Sequence, residues 1–200
     1  MRVIIDGLSK IGKSFLFNEL MMYAKKTIFM EPKYNECELQ NLTIIDRQKK
    51  FIETYSKITK NAMKYNSFVM YRSIVSVNVY NTHYFKLRLK DDIDYNSILD
   101  NIAILQKLSP LVIFLHCSDI NILKDIYYYM IYNVPSESMF FKSLKSFTED
   151  NLEIGYELIE SYNKFMFRTK IYDLKDFYNG NVVDSFTKRN ESILKDILLT

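Results

Sequence analysis

The 200-residue chain has no tryptophan, only four glycines, three prolines and two cysteines. Without Gly, Pro and Ser clusters there is no flexible linker or low-complexity tract, and no internal repeat is visible. Cys37 and Cys117 stand far apart and read as reduced thiols rather than as a disulfide framework. No run of 18 or more apolar residues occurs, which argues against a membrane span. A lone Arg2 followed by a β-branched run is no secretory signal, so a cytoplasmic protein is the expectation. Charge is scarce as well: 27 basic against 24 acidic residues leave +3, too little to imply a nucleic-acid partner. Lysine far outnumbers the six arginines, at 2, 47, 72, 88, 168 and 189, and Asn, Ile and Tyr are abundant. This is the bias of an AT-rich coding sequence, against which an arginine in a motif position stands out.

What is present is apolar material: 48% hydrophobic residues suit one α/β domain over residues 1–200. Two of the four glycines fall within "GLSKIGKS", where Gly7, Gly12, Lys13 and Ser14 fit G-x-x-x-x-G-K-[ST]. Glycine at the two ends lets the backbone curl around a polyphosphate, because no Cβ blocks left-handed conformations. The N–H groups of Leu8, Ser9, Lys10, Ile11 and Phe15, with the N-terminus of the following helix, then face the anion. Lys13 can reach the β- and γ-phosphates of ATP, and Ser14 can offer its hydroxyl to Mg²⁺. "RVII" before the loop suits a buried parallel strand and "SFLFNELMMYAKK" after it a helix, which is the context the motif needs.

Strands are predicted near Val3–Ile5, Thr27–Met30, Phe68–Tyr71, Leu111–His116 and Thr169–Tyr172. Helices are predicted near Lys13–Lys25, Asp46–Lys64, Tyr95–Leu108, Ile120–Ile131, Leu152–Met166 and Lys188–Leu198. This alternation predicts a three-layer P-loop NTPase fold: a five-stranded parallel sheet, helices on both faces, and ligands at the strands' carboxyl ends. Residues 133–150 lack periodicity and are the predicted lid.

A second constellation runs from Asp46 to Asn81: Asp46-Arg47, then Tyr71-Arg72-Ser73, Ser76 and Tyr80-Asn81. Here the chain resembles the thymidylate kinase and deoxynucleoside kinase group of P-loop proteins. Thymidylate kinases carry an Asp/Asn-Arg pair opening a helix, then a strand ending Asp-Arg-Tyr, a later Ser and a Tyr-Gln. The resemblance implies that Arg72 binds the acceptor's phosphate, a task for a guanidinium fork. It also implies that Arg47 reaches the base or its neighbouring phosphate, that Asn81 reads the base edge, and that Ser76 and Tyr80 help to form the pocket. "SPLVIFLHCSD" and "NLEIGYELIESYNKF" resemble the strand before the lid and the helix after it. Eukaryotic and viral thymidylate kinases place a basic residue two before the second glycine and none of their lid residues is arginine. Lys10 holds that place here, and 133–150 contains no arginine. Lys10 then offsets charge on the γ-phosphate, while Lys142 and Lys145 read as solvated.

The chain also departs from the pattern. The Asp of Asp-Arg-Tyr is Tyr71, Ser9 stands where an acid is common, and Met30 replaces an arginine before Glu31-Pro32. Asp6, Glu31 and Asp119 are the remaining acids at strand ends that could assist a metal. The expected reaction is transfer of the ATP γ-phosphoryl group to a deoxynucleoside monophosphate, dTMP first. Two alternatives stand beside it. Deoxynucleoside kinases carry Glu/Asp-Arg-Ser and a Glu-Pro whose Glu is the catalytic base, matching "YRSIVS" and Glu31-Pro32. A degenerate relative that binds nucleotide without turnover would account for Tyr71. A GTPase lacks support because no Asn-Lys-x-Asp motif occurs, and a helicase-type motor lacks further motor motifs. The resemblance further implies small nucleotide or nucleoside partners, a homodimer paired through helices, and, for a viral source, the host cytoplasm.

Overall fold

A computed structural model describes residues 1–34, 39–87, 93–133 and 143–198. The apolar runs form five parallel strands: β1 (Arg2–Gly7), β2 (Ile28–Met30), β3 (Phe68–Tyr71), β4 (Leu111–His116) and β5 (Arg168–Asp173). Their order is β2-β3-β1-β4-β5, with Ile4 paired to both Met70 and Val112. The sheet and its helices on both faces match the architecture expected from the sequence.

Period-2 alternation in the strands divides the core. Ile4, Phe68, Met70, Val112 and Phe114 face one layer, which is closed by α2 (Ile44–Ala62), α3 (Ile74–Val79), α4 (Tyr95–Leu108) and α6 (Asn151–Lys164). Val3, Ile5, Val69, Ile113 and Leu115 face the other, under α1 (Lys13–Tyr23), α5 (Ile120–Asn133) and α7 (Val182–Leu198). Both faces of the central strands β1, β3 and β4 are buried, which is why these three read as near-continuous apolar runs, whereas the edge strand β5 is largely exposed. Each fully buried Ile, Leu or Phe contributes about 1.5–3 kcal/mol relative to exposure. Among the described residues no helix is long and apolar enough to cross a membrane.

Three predicted boundaries move for local reasons. Helix α2 starts before Asp46, because Thr43 caps it: its Oγ1 accepts Asp46 N–H at 3.1 Å and donates to the Asp46 carboxylate at 2.7 Å. A short helix absent from the prediction, α3, is capped by Ser73, whose Oγ accepts Val75 N–H at 3.2 Å. It runs into a π-helical turn at Tyr80–Tyr84. Helix α7 begins at Val182 rather than Lys188, held by Asn181 Oδ1, which accepts the N–H groups of Val183 and Asp184. Of the predicted lid, 134–142 lie outside the described residues. Ser146–Asp150 form a π-helical turn feeding α6, so this part is helical rather than irregular. Lys145 is exposed and reaches Glu149 at 3.9 Å, as expected of a solvated lysine; Cys37 and Lys142 are outside the described residues.

Gly7 adopts φ 133°, and a Cβ there would sit 2.0 Å from the Leu115 carbonyl oxygen. Gly7→Ala is therefore expected to cost more than about 4 kcal/mol in urea unfolding. Gly180→Ala, with φ 86° and open space around it, should cost only about 1–2 kcal/mol. A second expectation concerns His116, which is buried at the end of β4 with neither ring nitrogen hydrogen-bonded among the described residues. Burial lowers its pKa, with Asp173 opposing. The unfolded chain thus binds the proton more readily, and stability is lost as pH falls below about 6.5. His116→Leu should weaken that loss, read from unfolding free energies across pH 5 to 7 relative to the parent.

Candidate active site

The loop between β1 and α1 takes the conformation its glycines allow. Gly7, Lys10 and Gly12 have φ 133°, 59° and 83°, and Gly12 is the N-cap of α1. Lys10 is the one non-glycine of the loop in the left-handed region. Two distant helices hold the loop's peptide groups. Asn151, the first residue of α6, accepts Ser9 N–H at 3.0 Å and donates to the Ser9 carbonyl at 3.2 Å. Arg189 on α7 donates to the Ile11 carbonyl at 2.8 Å. Neither residue carries a signal in the local sequence, since each is more than 140 positions away from its partner.

Lys13 is buried, and its Nζ donates to the Gly7 carbonyl at 3.1 Å and to that of Leu8. Burial lowers its pKa well below the usual lysine value; Arg72, Arg189 and Lys10 add to this and Asp6 opposes it. Asp6, fully buried, accepts Gly7 N–H at 2.8 Å, the Tyr162 hydroxyl at 2.5 Å and the Ser76 hydroxyl. Ser73 joins the group at 2.7 Å from the Tyr162 hydroxyl. Burial, then the charge of Asp6, raises the Tyr162 pKa well above its ordinary value.

Two cavities meet here. One of about 460 Å³ is lined by Ser9, Lys10, Gly12, Lys13, Ser14 and Phe15 together with side chains of α5 and α7. The other, of about 400 Å³, is lined by Glu31, Pro32, Tyr34, Gln48, Phe51, Tyr55, Val77, Tyr80 and Phe85. Tyr71 and Arg72 line both. Arg72 is set at this junction by a left-handed backbone (φ 61°) whose N–H donates to the Ile5 carbonyl at 2.8 Å. Its guanidinium lies over the Tyr80 ring, 5.4 Å from the centroid, and Nη2 is 3.5 Å from Ser9 Oγ. Burial works against its charge, but Tyr80 and Asp6 outweigh that and hold its pKa above the ordinary arginine value.

The expected acceptor residues separate. Arg72, Tyr80 and Glu31 come together in the second cavity. Arg47 does not: its Nε donates to the Leu39 carbonyl at 3.1 Å and it lines a neighbouring depression with Lys33, Leu39 and Gln40. Being four residues past the Thr43 cap, Arg47 projects from a different side of α2 than Gln48. Asn81 is turned inward by the π-helical turn and is fully buried outside both cavities. Ser76 likewise lines neither cavity and bonds Asp6 instead. Gln48, Phe51 and Tyr55 take their place in the pocket wall. The Gln48 side chain is 1% exposed, and Phe51 packs on Tyr34 at 4.7 Å between centroids. Their i, i+3, i+7 spacing on a helix was the available signal.

Among the described residues no cluster of three His, Cys, Asp or Glu side chains could hold a metal ion. Asp6 is engaged by three donors, Asp119 accepts Asn121 N–H at 2.8 Å, and the Tyr71 hydroxyl, not a carboxylate, stands 3.1 Å from Ser14 Oγ. The exposed Ser14 hydroxyl fits one position of a Mg²⁺ carried in on a nucleotide, whose other ligands are phosphates and water.

This is the fold of P-loop kinases, and solved structures of that class superpose over nearly the whole chain. Deoxyadenosine kinase from M. mycoides with bound dATP matches with a TM-score of 0.68 at 18% identity, covering 99% of this chain and 100% of that one. The YorR protein from Bacillus subtilis, in complex with phosphorylated GDP, gives 0.57 at 14% identity over 97% and 96%. Shikimate kinase from Acinetobacter baumannii with shikimate gives 0.52 at 12% identity over 98% and 92%. No protein-family model and no curated protein sequence matches the chain.

Asp6→Asn puts an NH₂ group among three donors. It should cost about 2–4 kcal/mol of stability, measured by urea denaturation, because the amide satisfies at most part of what the carboxylate accepts.

Proposed function

We propose that the protein transfers the γ-phosphoryl group of ATP to the 5′-hydroxyl of a deoxynucleoside. The observation that carries this reading is the make-up of the second cavity: it combines one carboxylate, Glu31, one guanidinium, Arg72, and a buried amide, Gln48, with aromatic walls. A neutral nucleoside needs a base for its hydroxyl and a flat apolar slot for its ring. A monophosphate needs more cationic clamps. The fold likeness to a deoxyadenosine kinase supports the same acceptor class.

In this mechanism the loop N–H groups, Lys13 and Lys10 hold the donor phosphates, and the γ-phosphoryl group points toward Arg72 at the junction. The 5′-oxygen attacks Pγ in line; the O5′–Pγ bond forms as the bond from Pγ to the β,γ-bridging oxygen breaks, leaving ADP. Glu31 accepts the hydroxyl proton and releases it to solvent. Arg72 offsets charge on the transferring oxygens, and Tyr80 holds its guanidinium in place by stacking. Ser14 would hold Mg²⁺, which neutralises charge on the β- and γ-phosphate oxygens. Gln48 reads the base edge, and the packed Phe51 and Tyr34 rings form a wall of the slot.

Phosphorylation of dTMP to dTDP is the second reading, favoured by Lys10 on the donor cavity and by the Arg72-Tyr80 pair on the acceptor side. ADP release with Mg·ATP, against deoxynucleosides and their monophosphates, separates the two. Turnover is expected with free deoxynucleosides; turnover with dTMP alone would replace the reading, and ATP binding without any turnover would reduce the protein to a nucleotide-binding relative. Lys13→Ala should abolish transfer. Glu31→Gln should lower kcat by about a hundredfold or more with KM for the nucleoside little changed. An unchanged kcat would remove Glu31 from the chemistry.

A further inference from the structure

Arg189, in the middle of α7, is fully buried. Its Nη2 donates to the Ile11 carbonyl at 2.8 Å and to Asn190 Oδ1 at 3.3 Å, while Nε and Nη1 have no hydrogen-bond partner among the described residues. The guanidinium stacks on Phe186, 5.2 Å from the ring centroid. Among the described residues no carboxylate pairs with it; Glu19 instead accepts from Asn190 Nδ2 at 2.6 Å. A Cβ on Gly12 would meet Nη2 at 3.0 Å, so the guanidinium lies directly behind the second glycine of the phosphate loop. Burial pulls its pKa down to about 9, which leaves it charged at neutral pH. That charge reaches across the loop, since it is one of the causes that lower the Lys13 pKa.

The more distant charge of Glu19 favours this cation, but no carboxylate is paired to it among the described residues and two of its donors are unsatisfied. Burial in that condition is costly, and such groups persist where something outside the protein compensates them. On the far side of the loop lies the cavity lined by Lys10, Lys13 and Ser14. We propose that Arg189 couples α7 to the donor site: it fixes the Ile11 peptide of the loop, and a polyphosphate bound in the cavity adds the counter-charge that the protein supplies only in part. Arg189 is thus a positioning residue, acting through the loop and through its field. The inference rests on the donor half of the proposed reaction and is independent of the acceptor.

The parent protein, Arg189→Met and Arg189→Lys would be compared for unliganded melting temperature and, by calorimetry, for Kd of Mg·ATP and of inorganic tripolyphosphate. Arg189→Met, which fills the apolar site without charge, should melt at or above the parent's temperature without ligand. Its Kd for both ligands should rise about tenfold or more, with Arg189→Lys between the two. A residue that merely supports the fold would behave oppositely, with a lower melting temperature and unchanged affinity, and that outcome overturns the proposal. If Arg189→Met does not fold, unchanged affinities in Arg189→Lys overturn it. Failure of the parent to bind either ligand overturns both this proposal and the donor-site reading. Binding by the parent with equal binding by Arg189→Met overturns this proposal alone.

Discussion

The carboxylate of Asp6 is the point from which the site is built. It ends the central strand, out of solvent, and its acceptors are taken up by the Gly7 peptide, Ser76 and Tyr162. Those donors belong to three separate pieces: the phosphate loop, the helix that follows Arg72, and the helix that follows the segment 134–142. A buried anion is tolerated only when its lone pairs are satisfied, so the three pieces are held in one arrangement by one electrostatic requirement. The same charge favours the cations around it, opposing the depression of the Lys13 pKa and supporting Arg72.

Around this anion the cations outnumber their partners. Lys13, Arg72 and Arg189 all act on one loop, and Lys13 satisfies its ammonium with the Gly7 and Leu8 carbonyls rather than with a carboxylate. Such an arrangement stores a demand for negative charge in the region where a nucleotide's phosphates would lie. The acceptor side has the opposite character, a mostly apolar aromatic slot with a single acid and a single amide. Tyr71 stands between the two, in contact with Ser14.

Much of this was legible before any coordinates. The loop announces itself through glycines in a chain that has only four, and the central strands announce themselves as apolar runs because they are buried on both faces. Arg72 was legible because its motif is local: strand end, left-handed residue and cap follow one another directly. Arg47 and Asn81 lie outside the two cavities, because equal spacing in sequence does not fix the direction of a side chain. The Thr43 cap sets the phase of α2, and the π-helical turn rotates Asn81 into the interior. Gln48 lay in view, one residue from the expected arginine, and only the phase of the helix distinguishes them.

By itself the sequence determined the layer order, the phosphate loop and the strand end bearing Arg72, since each depends on interactions among near neighbours: periodicity, glycine dihedrals and caps. Only the tertiary structure decided that Asn151 and Arg189 hold the loop, that Asp6 is shared with Ser76 and Tyr162, and that Glu31 and Gln48 face one cavity with Arg72. The hydrogen bonds in that set join residues 70 to 178 positions apart, and which of many polar side chains meets a buried peptide or carboxylate is settled by how the layers pack, not by local pattern.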